Sequence, residues 1–489
     1  MVVVLAVAAV IGIALRFVVH ASSLGALDAD EAVWGLMSRH VLEGEVSAFY
    51  WGQGYGGTQE VLLTAPLVAL SAGVWAIRVV PVLLTALAAV LVWRIGRRTI
   101  GEPAATAAAA VFWVGPAYLV WKSTHAHGFY GSGLVIGSLV LLLVLRLAER
   151  RSLRDTALLG LMLGLGAWQT PQIVPIVVAA VAWLTFRRRD VWRDAWAALP
   201  LLLVGTLPWL LSNVRHDWWS FRFDSGDTPY LPRLRGFFSS TLPMTLGLRI
   251  PFTSEWLAGP ALSIAAYAGL VAPLALLARR HRGANVLLLI VVVAAYPPLY
   301  ALSPATWIND EPRYVLMLVP SLVLLLALPL VTVPRAVAGF AAALALTIVV
   351  LAKIAGSPEY ERRAEGHVIP RELTPLLSEL NRRGIADVFA GYWVAYPLLF
   401  HTEERVVAAE ADLATLAVRG VRVLPKVPTR ATDIRRRAYD VTVRGAREPA
   451  WVFVSGGDGD RRWRSLLTGQ GYARTEAGGF ALYAKQAGP

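Results

Sequence analysis

The stretch ValLeuLeuThrAlaLeuAlaAlaValLeuVal, residues 82–92, carries no ionisable group, and TrpArgIleGlyArgArg closes it at 93–98. A helix that crosses a bilayer needs about 20 mostly apolar residues. Arginines gathered at the end of such a block mark the cytoplasmic side. Working outward, comparable blocks predict spans at 1–20, 75–93, 102–121, 129–147, 155–169, 171–186, 195–213, 261–278, 285–302, 314–331 and 335–354, about eleven in all. Residues 1–20 read as a first span rather than a removable signal, because they lack a basic leader and a small-residue cleavage site. Residues 61–74 are apolar but short, with Pro66 and Gly73 inside them. They are expected to form a re-entrant or juxtamembrane helix.

Composition supports an integral membrane protein. The 489 residues are 56% hydrophobic and 16% charged, against about 25% charged in soluble chains. The net charge of +13 is dispersed over short connections, so a nucleic-acid partner is not expected. With no cysteine, disulfide and thiolate chemistry are excluded. Basic clusters at Arg94–Arg98, Arg146–Arg154, Arg187–Arg193 and Arg279–Arg282 should be cytoplasmic. The segments 21–58, 121–128, 214–260 and 303–313, richer in acidic, aromatic and histidine residues, should face outward. The expected organisation is a transmembrane domain, 1–355, followed by a small extracytoplasmic α/β domain, 356–489. Helical patterning at 371–383 alternates there with β-like runs at 388–392 and 451–454.

The first outer segment holds Asp28, Asp30 and Glu31 just before Val33, Leu36, Met37 and Val41, which recur at helical spacing. Asp28 with Glu31 three residues later makes a capping box, a plain structural role that leaves Asp30 unexplained. PheTyrTrp at 49–51 followed by glycines reads as an interfacial anchor or a sugar- or prenyl-binding face. Glu60 opens the short apolar helix, where a carboxylate is electrostatically favoured. Lys122, His125 and His127 join two spans and could meet a phosphate or a metal, although His-x-His needs a third ligand. Arg313 and Tyr314 stand at the lip of a later span, where arginine either snorkels or clamps a phosphate. The loop 214–260 adds Arg215, Arg222, Arg233, Arg235 and Arg249 on the side where positive charge is disfavoured, as an anionic lipid-phosphate would reward.

AspGlu after the first span, an amphipathic helix and a glycine-aromatic turn resemble the first outer loop of the GT-C glycosyltransferases. The resemblance is to the protein O-mannosyltransferase and bacterial aminoarabinose transferase superfamily, the family-39-like group. It continues through ArgValValProValLeuLeuThrAla at 78–86, LeuProTrpLeuLeuSerAsnValArgHis at 207–216 and GluProArgTyrValLeuMetLeuValPro at 311–320. It implies a polyprenyl-phosphate-linked sugar donor, usually inversion at the anomeric carbon, and a reaction carried by Asp30 and Glu31. Where many relatives have an acidic residue after the third span, this chain has His125 and His127. Where many have a Glu-Lys-Pro-Pro-like element, it has GlyGlyThrGlnGlu. Asp28 and Asp30 form Asp-x-Asp, which binds a divalent metal in some GT-C branches, so a metal cofactor stays open.

The expected activity is transfer of a sugar to an acceptor hydroxyl of unidentified class, at the outer face of the cytoplasmic membrane. Asp30 would be the base, with Glu31 or Asp28 in support. Arg313, Lys122 or a metal would meet the phosphate, with Tyr314, Glu60, His125 and His127 nearby. The alternative is a multi-pass transporter or flippase, whose marks would be ionisable residues at mid-membrane and two related halves. A sensor protein working through its soluble tail is a further alternative.

Overall fold

The computed structural model describes residues 2–222, 228–280, 284–303, 306, 310–357, 368–410 and 435–485. The chain divides into two compact units. The first comprises Met1–Gly25, Gly54–Glu60 and Arg78–Gly356; the second comprises Ala26–Gln53, Val61–Ile77 and Ser357–Pro489. The C-terminal segment therefore shares its unit with most of the first outer segment.

Among the described residues, six helices are long and apolar enough to cross a membrane: Val4–Ala21, Val74–Thr99, Tyr130–Glu149, Arg189–Arg215, Asn285–Leu302 and Val333–Ala355. Glu102–Val114 and Ala117–Ser123 make a seventh if counted together, bent by 63°. Pro116, which lacks an N–H to donate, stands at that break. The remaining expected spans correspond to Leu153–Gln169, Pro171–Arg187 and Arg313–Leu326, which are shorter, and to the 21-residue helix Pro260–Arg280. Gln59–Leu70 has 12 residues, too few to span. Residues 304–305, 307–309 and 358–367, parts of the expected outer segment and linker, lie outside the described residues, as does Arg282.

The first unit sorts its polar groups to the two ends of the helix Tyr130–Glu149. At its C-terminal end Arg98 pairs with Glu149, Arg146 Nη2 lies 2.7 Å from Asp155 Oδ1, Arg151 pairs with Asp194, and Arg188 donates to Leu147 O at 2.8 Å. Three of the expected basic clusters thus meet at one end. At the other end Glu60 Oε1 accepts from Ser132 N and Oγ, both at 2.8 Å, and Gly57 N donates to Gln169 O at 2.9 Å. Between these ends, residues 133–145 contain no charge. Arg16, inside the first helix, is buried, with Nη2 left without a hydrogen-bond partner among the described residues. Its guanidinium donates to Ser123 Oγ, Gly12 O and Trp113 O and stacks on the Trp113 ring.

In the second unit the C-terminal segment forms a five-stranded sheet of order β2-β1-β3-β5-β4. Its strands are β1 (Asp387–Ala390), β2 (Val407–Glu410), β3 (Ala450–Val454), β4 (Tyr472–Ala477) and β5 (Phe480–Lys485). β1 runs parallel to β2 and β3, while β5 is antiparallel to β3 and β4. Phe389, Trp451, Phe453 and Tyr483 fill its core with Val443 and Leu467 from two flanking helices. The α/β character expected of the tail is present.

The helix Ala29–Leu42 belongs to this unit. Asp28 caps it, with Oδ1 accepting from Glu31 N at 2.9 Å. Its neighbour is the helix Tyr392–His401: Arg39 Nη1 donates to Phe400 O at 2.7 Å and its guanidinium lies over the Phe400 ring. Gly35 makes this approach possible, because a Cβ there would stand 2.3 Å from the Phe400 ring. Gly35→Ala should therefore destabilise the protein, although alanine is the better helix former by about 1 kcal/mol. Overfilling a buried contact costs about 1–3 kcal/mol. Thermal unfolding checks this, and a melting temperature at or above that of the wild type would show that the ring can move aside.

Candidate active site

Asp30 sits in the first turn of the helix Ala29–Leu42 with 41% of its side chain exposed. Its Oδ1 accepts from the Tyr392 hydroxyl and from Tyr50 OH at 3.3 Å, and Arg435 Nη2 lies 3.6 Å away. Oδ2 has no hydrogen-bond partner among the described residues. Arg435 is itself held, its backbone N–H donating to Tyr396 OH at 2.8 Å and its Nε to Tyr392 OH at 3.1 Å. Burial pushes the Tyr50 and Tyr392 hydroxyls well above the usual range, and the Asp30 carboxylate adds to this, so both remain protonated donors. The result is a carboxylate with one oxygen anchored and the other open.

Of the remaining sequence candidates in this unit, Asp28 is the helix cap and Glu31 is buried in the same first turn. The Asp-x-Asp pair does not fit a divalent ion. One Asp28 oxygen serves the cap, and a buried guanidinium already stands beside Asp30. Among the described residues no three His, Asp or Glu side chains are grouped as a metal would require.

In the first unit, Lys122 Nζ lies 3.2 Å from His127 Nδ1 and near the rings of Trp121 and Tyr130. His125 stacks on His127 with ring centroids 5.1 Å apart. A small cavity is bordered by Glu60, Lys122, Ser123, His125 and Tyr130. Glu60, held on Ser132 at the N-terminus of Tyr130–Glu149, is a helix-end partner as much as a site residue. Arg313 pairs with Glu311, which also accepts from the Tyr118 hydroxyl. Tyr314 lends its backbone oxygen to Tyr296 OH at 2.6 Å.

Residues 63–211 match the family model of dolichyl-phosphate-mannose-protein mannosyltransferases. No curated protein sequence matches the chain. Among solved structures, ArnT from Cupriavidus metallidurans in the apo state is similar over 98% of this chain and 99% of that one, with a TM-score of 0.59 and 14% identity. The same protein bound to undecaprenyl phosphate gives 0.58 and 15%, over the same shares. The Archaeoglobus fulgidus oligosaccharyltransferase in complex with Zn and sulfate gives 0.55 and 13%, over 99% of this chain and 73% of that one. The chain has the GT-C fold. It is a multi-pass membrane protein of that architecture, with a small strand-containing C-terminal region.

Sequence reading missed Tyr50, Tyr392 and Arg435. Tyr50 lies within the aromatic run 49–51, and Arg435 opens a run of three arginines. Tyr392 carried a usable signal, since it follows Gly391 at the carboxyl end of parallel strand β1, where α/β sheets place ligands.

A second cluster in this unit is pH-sensitive. His40 Nε2 lies 3.0 Å from Glu404 Oε2, while Glu43, Glu45 and the opposing Arg436 face its Nδ1. The bond to Glu404 raises the imidazole above its ordinary value, against burial. A raised folded-state value means that this stabilisation is complete below about pH 6.5 and fades as pH climbs through the raised value. The wild-type melting temperature should fall over that interval more than that of His40→Gln. Parallel curves for the two proteins would remove His40 as the cause.

Proposed function

We propose that this chain is a membrane glycosyltransferase that moves a sugar from a polyprenyl-phosphate carrier to an acceptor hydroxyl at the outer face of the cytoplasmic membrane. The observation that carries the reading is Asp30, a partly exposed carboxylate with one oxygen anchored by Tyr50 and Tyr392 and the other open. The fold adds context: ArnT in one similar structure is bound to undecaprenyl phosphate, and the matching family model is of dolichyl-phosphate-mannose-dependent enzymes.

The chemistry needs a base and a stabilised leaving group. Asp30 Oδ2 takes the proton of the acceptor hydroxyl as its oxygen bonds to the anomeric carbon. The bond from that carbon to the phosphate oxygen breaks, and its electron pair leaves on the polyprenyl phosphate. Lys122 and Arg313 are the cations proposed to meet that charge. Arg313, already paired with Glu311, would act as part of a polar set with Tyr118. Lys122 would act from the border of the Glu60 cavity.

Orientation follows from the basic clusters, proposed as cytoplasmic. Since the chain contains no cysteine, single substitutions report cleanly. Val46→Cys and Ser378→Cys should react with an impermeant thiol reagent in intact cells, while Arg150→Cys should react only after lysis. The reverse pattern would invert the topology.

Activity is tested with purified protein, an envelope fraction as acceptor source, and labelled polyprenyl-phosphate mannose, glucose, galactose and arabinose. Release of polyprenyl phosphate with label appearing in the acceptor marks transfer; movement of intact donor across vesicles marks a transporter. Asp30→Asn should lower turnover about 10²–10⁴-fold, the usual cost of losing a general base. Its melting temperature should stay close to that of the wild type. Turnover near the wild-type rate would exclude Asp30 as the base. Arg313→Ala and Lys122→Ala should weaken donor binding more than Arg335→Ala, and equal effects would count against a phosphate role.

A further inference from the structure

The C-terminal segment reaches Asp30 through two side chains that the mechanism above does not otherwise use. Tyr392 OH accepts from Arg435 Nε at 3.1 Å and donates to Asp30 Oδ1, so the three groups form one directed chain of hydrogen bonds. Such chains strengthen by mutual polarisation away from water. The Arg435 guanidinium lies 4.8 Å from the Tyr50 ring centroid and 5.2 Å from that of Tyr392, between the two hydroxyl donors. Its side chain is 11% exposed. At 3.6 Å from Oδ1 it acts on Asp30 through charge, while the hydroxyls make the hydrogen bonds.

A purely structural ion pair in the same unit looks different. Asp460, fully buried, has both oxygens occupied. Oδ1 accepts from Arg474 Nε at 3.0 Å and from the Tyr483 hydroxyl, and Oδ2 accepts from Gly456 N, Arg464 and Arg474. That carboxylate is saturated. Asp30 is gripped on one oxygen only, and the open one belongs to a side chain 41% exposed. Anchoring a carboxylate merely to tie elements together gives no reason to leave half of it bare.

We propose that Tyr392 and Arg435 are positioning residues for Asp30: they fix its orientation, so that Oδ2 stands ready to take the acceptor's proton. The C-terminal segment thereby completes the candidate active site. This rests on Asp30 being the base, and the test separates the two ideas.

The readout is the split between kcat and KM of the full-length protein, measured with the labelled polyprenyl-phosphate sugar that supports turnover. The groups facing Asp30 are Tyr50, Tyr392 and Arg435, so Tyr50→Phe is included. In Tyr392→Phe and Arg435→Gln kcat should fall while KM for the donor stays near that of the wild type, and Arg435→Lys should restore most of the wild-type kcat. A lowered melting temperature with an unchanged kcat in both variants would show a structural role only and overturn the proposal. Wild-type turnover by Asp30→Asn would instead remove the base reading, whatever the Tyr392 and Arg435 variants do.

Discussion

A bilayer leaves no water for buried polar groups, and that constraint arranges the first unit around the helix Tyr130–Glu149. Residues 133–145 are free of charge, and a 20-residue helix is about 30 Å long, close to the thickness of the hydrocarbon layer. Polar chemistry can collect only at its two ends. One end gathers Arg98, Arg146, Arg151 and Arg188 with their carboxylates. The other gathers Glu60, Ser132 and Gln169. The charge bias that orients such proteins during insertion is thus also what leaves one helix end available for a site.

The second unit obeys a different rule, because its order comes from close approach rather than span length. Gly35 lets the helix Ala29–Leu42 lie against Phe400, and Arg39 fastens the contact from the same helix. His40, one residue on, binds Glu404 beyond that helix's end. Asp30 stands at the start of the helix, so whatever fixes the helix fixes the carboxylate. A site residue on a rigid element is better placed than one on a loop, and here the rigidity comes from residues more than 300 positions away.

Fold class was legible because bilayer physics writes itself as long apolar runs and asymmetric arginines, both local in sequence. The Asp28 cap was legible for the same reason, its partner being three residues away. The surroundings of Asp30 were not, since Tyr392 lies 362 positions from it and sits in a string that reads as strand. Arg435 looks like any member of its basic run. Contacts closed over such separations leave no periodicity to read, and only the turn Gly391–Tyr392 after β1 hinted at a functional position. Glu60 shows the converse: its place at a helix start was visible, but its bond to the N-terminus of another helix, at Ser132, was not.

The carboxylates of the two units differ in how much of each is already committed. Asp460 is saturated on both oxygens. Glu60 Oε1 takes two donors from Ser132, Glu311 holds Arg313 and Tyr118, and Asp28 is engaged by its own helix. Each donor makes the carboxylate a weaker proton acceptor, and full burial denies a substrate access to it. Asp30 differs on both counts, with an open oxygen and a side chain 41% exposed. Its anchored oxygen prevents rotation, so the open one points in a fixed direction. A base needs that combination of access and orientation, because proton transfer requires hydrogen-bond reach before any matching of acidity. The tyrosine and arginine grip is therefore consistent with catalysis where a fuller grip would not be: it holds the accepting atom in place and leaves it open to a substrate.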